Sequence, residues 1–119
     1  MTNNTFPRSV RILRSEEYDK VFKNPIRASV YGVLVLARVN TELNHPRLGL
    51  IVPKKVLKRA VWRNRVKRIA RETFRLNQHS LPNIDLVVIA KPKINNMANS
   101  ELSEIFRKLW QQISHRLEN

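Results

Sequence analysis

The chain has 119 residues, 42% of them hydrophobic, and a formal net charge of +14 from 23 Lys and Arg against 9 Asp and Glu. That suffices for one hydrophobic core, so two independent domains and a disordered basic tail are both unexpected. Cysteine is absent, which removes disulfides and thiolate chemistry; no run of 18 apolar residues occurs, which excludes a membrane-spanning helix, and the start MTNNTFPRSVRILRS lacks the apolar stretch of a secretory signal, so a cytoplasmic location is expected.

Residues 1–14 are basic without periodicity and read as an extended or flexible arm ahead of a folded core over 15–117. Ser15 is placed to cap a short helix, with Glu16 and Glu17 in the first turn, where negative charge suits the helix dipole. Tyr18, Val21 and Phe22 are its apolar positions, and Pro25 ends it. Residues 29–39 (SVYGVLVLARV) are β-branched and aliphatic and predict one long strand. After a polar turn through Asn40, His45 and Pro46, residues 47–52 (RLGLIV) predict a second strand, the antiparallel partner of the first because the connection is short.

Pro53 stops that strand. A helix is predicted from Leu57 to about Leu76, its inner face formed by Trp62, Val66, Ile69 and Thr73 with Ala70 and Phe74 at helical spacing. Pro82 and Asn83 break the chain before a third strand at 84–90 (IDLVVIA), and a loop leads to Ser100, placed to cap a last helix with Glu101 in its first turn. Leu102, Ile105, Phe106, Leu109, Ile113 and Leu117 make that helix's buried stripe. The element order is α-β-β-α-β-α, and the middle helix is a crossover to a strand parallel to one of the first two, right-handed by the general rule.

Catalytic machinery is not evident. His45, His79 and His115 are scattered, and without cysteine or a His/carboxylate cluster no zinc site is expected. Asp85 is the only acidic residue between Glu72 and Glu101, whereas a two-metal nuclease needs several converging carboxylates. These histidines and Asp85 read as caps and surface groups.

The concentration of charge is different in kind. Lys54, Lys55, Lys58, Arg59, Arg63, Arg65, Lys67, Arg68, Arg71 and Arg75 face a single acidic residue, Glu72. Arg63, Lys67, Arg71 and Arg75 recur every four residues and so form one stripe on a helix. Like charges at that spacing repel and weaken an isolated helix, so solvation alone is a poor reason for them. A polyphosphate partner is the better one, nucleic acid ahead of an anionic membrane. Charge alone does not separate RNA from DNA.

Residues 60–75, AVWRNRVKRIARETFR, resemble the signature helix of the protein subunit of bacterial ribonuclease P: Arg63-Asn64-Arg65, then Lys67-Arg68, then Arg71 one turn on. RLGLIVPKK resembles that family's strand ending in paired lysines, Lys54 and Lys55; LRSEEYDKVFKN resembles its first helix, and IDLVVIAKP the strand after the signature helix. The resemblance covers roughly residues 12–110; Pro53 departs from it, standing where the family favours a small residue.

The resemblance implies an α+β fold, a two-layer α/β sandwich of the ribosomal protein S5 domain 2 type. Its sheet is mostly antiparallel with a left-handed βαβ crossover, which replaces the generic expectation of a right-handed one. It implies a non-catalytic protein subunit that binds the catalytic RNA and the 5′ leader of precursor tRNA and assists endonucleolytic removal of that leader. Mg2+ would act at the holoenzyme level, held mainly by the RNA subunit. By position, Lys54, Lys55, Arg59, Arg63, Asn64, Arg65, Lys67, Arg68 and Arg71 would meet RNA. Tyr18 and Phe22, with Val33 and Val35 as a floor, would form the leader cleft between the first helix and the sheet. The competing readings are a plain RNA-binding protein such as a ribosomal protein or RNA chaperone, a DNA-binding regulator using the basic helix, and a stand-alone nuclease. The DNA reading lacks the second helix of a helix-turn-helix, and the nuclease reading lacks a catalytic cluster.

Overall fold

The structure of the chain, a computed structural model, describes residues 10–42 and 44–118. Its elements run α1 (Ser15–Phe22), β1 (Ile26–Val30), β2 (Val33–Val39), β3 (Arg47–Ile51), α2 (Ala60–Asn77), β4 (Ile84–Ala90) and α3 (Asn99–Glu118), with 3-10 turns at Gln78–Ser80 and Pro92–Asn96. This is the expected α+β class, with one more strand than expected. The run predicted as a single strand is a hairpin, because Tyr31 and Gly32 turn the chain and Val30 pairs with Val33. Gly32 has φ 78°, and a Cβ there would lie 3.0 Å from the Ile94 backbone nitrogen. Glycine meets both conditions. A β-branched run signals extended backbone but not where it folds back.

The sheet order is β1-β2-β4-β3. β1 and β2 pair antiparallel, as do β2 and β4, whereas β3 and β4 are parallel. The expectation that 47–52 pairs antiparallel with the preceding strand is therefore corrected: β3 lies across β4 from β2, and α2 provides the parallel crossover. The cause is in β4, whose residues are nearly all buried and which pairs with all seven residues of β2. A strand apolar on both faces takes the centre of a sheet. Of the expected arm, residues 1–9 lie outside the described residues; Arg11 forms a parallel bridge to Leu48, and the Ile12 amide donates to the Leu48 carbonyl at 3.0 Å.

Strand alternation sorts the side chains onto two faces. Ala28, Val33, Val35, Leu48, Leu86 and Val88 meet α2 and α3 in the main core. There Trp110 stacks on Phe106 at 5.9 Å and meets the edge of Phe74 at 6.1 Å, and its Nε1 donates to Thr73 Oγ1 at 3.1 Å. Each fully buried side chain of this size is worth about 1.5–3 kcal/mol. The opposite face carries Leu36 and Val87, covered by Val21 of α1 and by Ile12.

Two helix starts differ from expectation for one reason. Ser15 is the first helical residue rather than the cap; the Glu17 carboxylate accepts the Leu13 and Arg14 amides at 3.3 Å each. Likewise α3 begins at Asn99, and Glu101 accepts the Ala98 amide at 2.9 Å. In both, a glutamate in the first turn reaches back to a free donor, which is half of a capping box. α2 starts three residues later than expected, since 53–57 close a turn in which the Val56 and Leu57 amides donate to the Pro53 carbonyl. Among the described residues no helix is long and apolar enough to cross a membrane.

Candidate RNA interface

Val66, Ile69, Ala70, Thr73 and Phe74 bury one side of α2, so its charges are turned outward. Asn64, Arg68 and Arg71 are exposed there, as are Lys54, Lys55, Lys58 and Arg59 in the preceding turn; Lys67 is half-buried beside them. Glu72 reaches Arg68 at 3.5 Å, with both side chains more than half exposed. Such a pair contributes little and leaves the surface strongly positive. Planar guanidinium groups on this face can grip phosphate oxygens two at a time.

Two of the expected contact residues also bond within the protein. Arg63 Nη1 donates to the Leu57 and Lys58 carbonyls at 2.8 and 2.9 Å, fastening the basic turn to the start of α2. Arg65 Nη1 donates to the Met97 carbonyl at 2.6 Å and to Asn99 Oδ1 at 3.1 Å, which ties α2 to the start of α3. Arg65 Nε is buried without a partner, the sole such side-chain atom among the described residues. Both arginines are half-buried and brace the face from within the helix.

Trp62, expected on the inner face, is 37% exposed instead. It belongs to the first turn of α2, ahead of the first buried residue of the helix, Val66, and the Arg59 guanidinium lies over its ring, 5.2 Å from the centroid.

The second candidate region is the sheet face next to α1. Tyr18 is half-buried, with its hydroxyl hydrogen-bonded to the Leu50 backbone, and burial pushes that hydroxyl above the ordinary tyrosine pKa. Gly49 makes room for it: a Cβ there would come within 2.7 Å of the Tyr18 oxygen. Phe22 stands one turn on, 43% exposed, with ring centroids 6.4 Å apart. Tyr18 and Phe22 are thus neighbours along α1. Val33 and Val35 do not face them. Both point into the main core under α2 and α3. The half-buried residues on the α1 side of the sheet are Leu34, Ile51 and Ile89, which with Tyr18 pack against the cluster around Val21. The valines share a face, as expected, but alternation alone does not say which helix covers that face.

Beneath α1 lies a polar network that the sequence reading missed. Asp85 is 1% exposed. It accepts Arg47 Nε and Nη2 at 2.9 and 2.8 Å and Asn40 Nδ2 at 3.0 Å. Arg47 Nη1 reaches on to Glu17 Oε2 at 2.7 Å. Burial works against the Glu17 charge, but the Arg47 hydrogen bond and the Arg14 and Leu13 amides outweigh it and hold the carboxyl below its usual pKa. The Asp85 hydrogen bonds raise the Arg47 pKa against the effect of burial. Asp85 is therefore not the cap or surface group it was read as. A lone acid in an apolar strand, with Arg38 and Arg47 in the flanking strands, was the available signal.

A family model described as Ribonuclease P matches residues 6–114. Among solved structures, the ribonuclease P protein of Staphylococcus aureus is similar at 27% identity and a TM-score of 0.80, covering 88% of this chain and 94% of that one. That of Thermotoga maritima, in complex with 1-(4-fluorophenyl)-2-thiourea, is similar at 30% identity and a TM-score of 0.76, covering 86% of this chain and 99% of that one.

Proposed function

This chain belongs to the ribonuclease P protein family, and from that premise we propose that it binds the catalytic RNA subunit and the 5′ leader of precursor tRNA in the cytoplasm and assists removal of the leader. The observation that carries this reading is the outward cationic surface of Lys54, Lys55, Arg59, Lys67, Arg68 and Arg71, with the neutral Asn64 among them and Glu72 the one acid beside it. Counterion release on phosphate neutralisation gives such a face affinity for any RNA backbone. The α1 side of the sheet adds what a backbone-only surface lacks. Its aromatic pair, Tyr18 and Phe22, and its apolar residues Leu34, Ile51 and Ile89 suit unpaired bases, which stack and bury on such surfaces for about 1–3 kcal/mol each. A single-stranded leader is the part of the precursor that offers unpaired bases.

The protein's own part is binding and orientation. Arg63 and Arg65 hold the contact surface in shape; the exposed cations reduce repulsion between two RNA molecules brought together. The magnesium ions belong, in this reading, to the RNA subunit. No trio of His, Asp and Glu suited to a metal ion occurs among the described residues, and the Asp85 carboxylate is committed to Arg47 and Asn40.

The test is precursor-tRNA cleavage at low, near-physiological magnesium with the protein alone, a bacterial catalytic RNA alone, and the two together. Cleavage confined to, or much faster in, the mixture is expected. No stimulation with several catalytic RNAs would move the assignment to a general RNA-binding protein. Cleavage by the uncontaminated protein alone would place an active site within it.

A further inference from the structure

Trp62 is 37% exposed in the first turn of α2, while the chain's other tryptophan, Trp110, is 1% exposed. An indole on a helix surface forgoes much of the burial that makes the residue valuable in a core. What accompanies the ring is cationic: the Arg59 guanidinium lies over it at 5.2 Å, and Lys54, Lys55 and Lys58 are exposed in the adjoining turn. No acidic residue occurs in the first turn of α2. The platform is also held still. Leu57 is fully buried below it, and Arg63 bonds the Leu57 and Lys58 carbonyls just ahead of Arg59. A fixed aromatic plane surrounded by positive charge fits a ligand that joins a flat ring to a phosphate, and repels a cationic one.

We propose that Trp62 and Arg59 form a stacking platform for one unpaired nucleobase of a bound RNA, with the flanking phosphates met by Lys55 and Lys58. This rests on the RNA-binding reading above and adds a site to it. The platform is separate from the Tyr18 and Phe22 region, since α1 and α2 cover opposite faces of the sheet. The base could come from the catalytic RNA or from the precursor, and the same chemistry serves either.

The test uses the full chain. The emission of Trp62, taken as the difference between wild type and Trp62→Phe, is titrated separately with a bacterial ribonuclease P RNA, a precursor tRNA and inorganic polyphosphate. Binding is followed in parallel by anisotropy of labelled RNA. One of the RNAs is expected to quench Trp62, identifying the source of the base; polyphosphate binds without quenching. Trp62→Ala weakens binding of that RNA about ten-fold, and Trp62→Phe keeps most of the affinity. The Trp62→Ala defect persists at high salt, because stacking releases no counterions. Thermal melts establish that both variants are folded. Wild-type affinity in Trp62→Ala for both RNAs, or equal quenching by polyphosphate, overturns the platform and leaves the RNA-binding reading standing. Failure of wild type to bind either RNA overturns both.

Discussion

Arg47 and Asp85 stand opposite each other in the parallel register of β3 and β4 and close a two-pronged ion pair at 2.9 and 2.8 Å, with Asp85 almost wholly buried. The pair joins the sheet to α1 through Glu17. Removing one partner leaves the other charge in a dry site. Asp85→Ala is expected to cost about 3–5 kcal/mol, measured by urea unfolding. The double replacement Arg47→Met with Asp85→Leu should cost less than that single change. A single-variant loss below about 1 kcal/mol would mean that water already reaches the pair.

Glu17 makes the same junction pH-dependent. Its folded pKa lies below the ordinary glutamate value, so the folded state binds its proton less readily than the unfolded chain does. The stabilisation is present in full above that value and is lost as the pH falls through the lower folded pKa. Stability of wild type measured across the acid range should therefore drop more steeply than that of Glu17→Gln, which is less stable at neutral pH but lacks this proton linkage. Parallel curves for the two proteins would remove Glu17 from the account.

Arg65 and Arg68 should separate into two kinds of arginine. Arg65→Ala breaks the bonds to Met97 and Asn99 and is expected to destabilise the domain by about 1.5–3 kcal/mol, the range for charge-assisted hydrogen bonds. Arg68→Ala is expected to leave stability within about 0.5 kcal/mol. It should weaken RNA binding across sequences, lowering the log–log salt slope by about one for a lost phosphate contact. Calorimetry and RNA titrations at three salt concentrations read both.

The two faces of the sheet make an analogous contrast. Val35 is fully buried in the main core, so Val35→Ala should cost about 1–3 kcal/mol of stability while folded protein keeps its leader affinity. Phe22→Ala and Leu34→Ala should weaken binding of a single-stranded leader by several-fold, with smaller stability losses. Equal leader affinity in all three variants would place the leader elsewhere.

Most of the fold was legible because periodicity is strong where one face is buried. The α2 residues Val66 to Phe74, the α3 stripe, and β4 over 84–90 stand where their spacing predicts. What was not legible depends on information between elements. The partner of β3 is decided by which strand is apolar on both faces, and the turn at Tyr31-Gly32 by a close approach to Ile94 that is distant in sequence. The exposed arginines follow from the helical stripe. That Arg63 and Arg65 are engaged does not, since three of their four acceptors are main-chain carbonyls, which no residue type advertises, and the fourth, Asn99 Oδ1, lies far from Arg65 in sequence. Helical spacing alone puts Trp62 on the inner face, but it cannot tell that burial along α2 begins only at Val66.

The tethering of Arg63 and Arg65 bears on which substitutions this surface tolerates. A guanidinium holds its donors in a rigid plane, whereas an ammonium turns on a flexible stem, so a lysine at either position is a poorer match to the two oxygens that one Nη1 of the arginine bonds at once. At Arg68 the printed protein partner is the exposed Glu72, so a lysine there keeps the positive charge near phosphate and gives up only the two-pronged grip. Replacing arginine by lysine is thus milder on the rim of this helix than at its anchors, although both kinds of position carry the same charge and look alike in sequence.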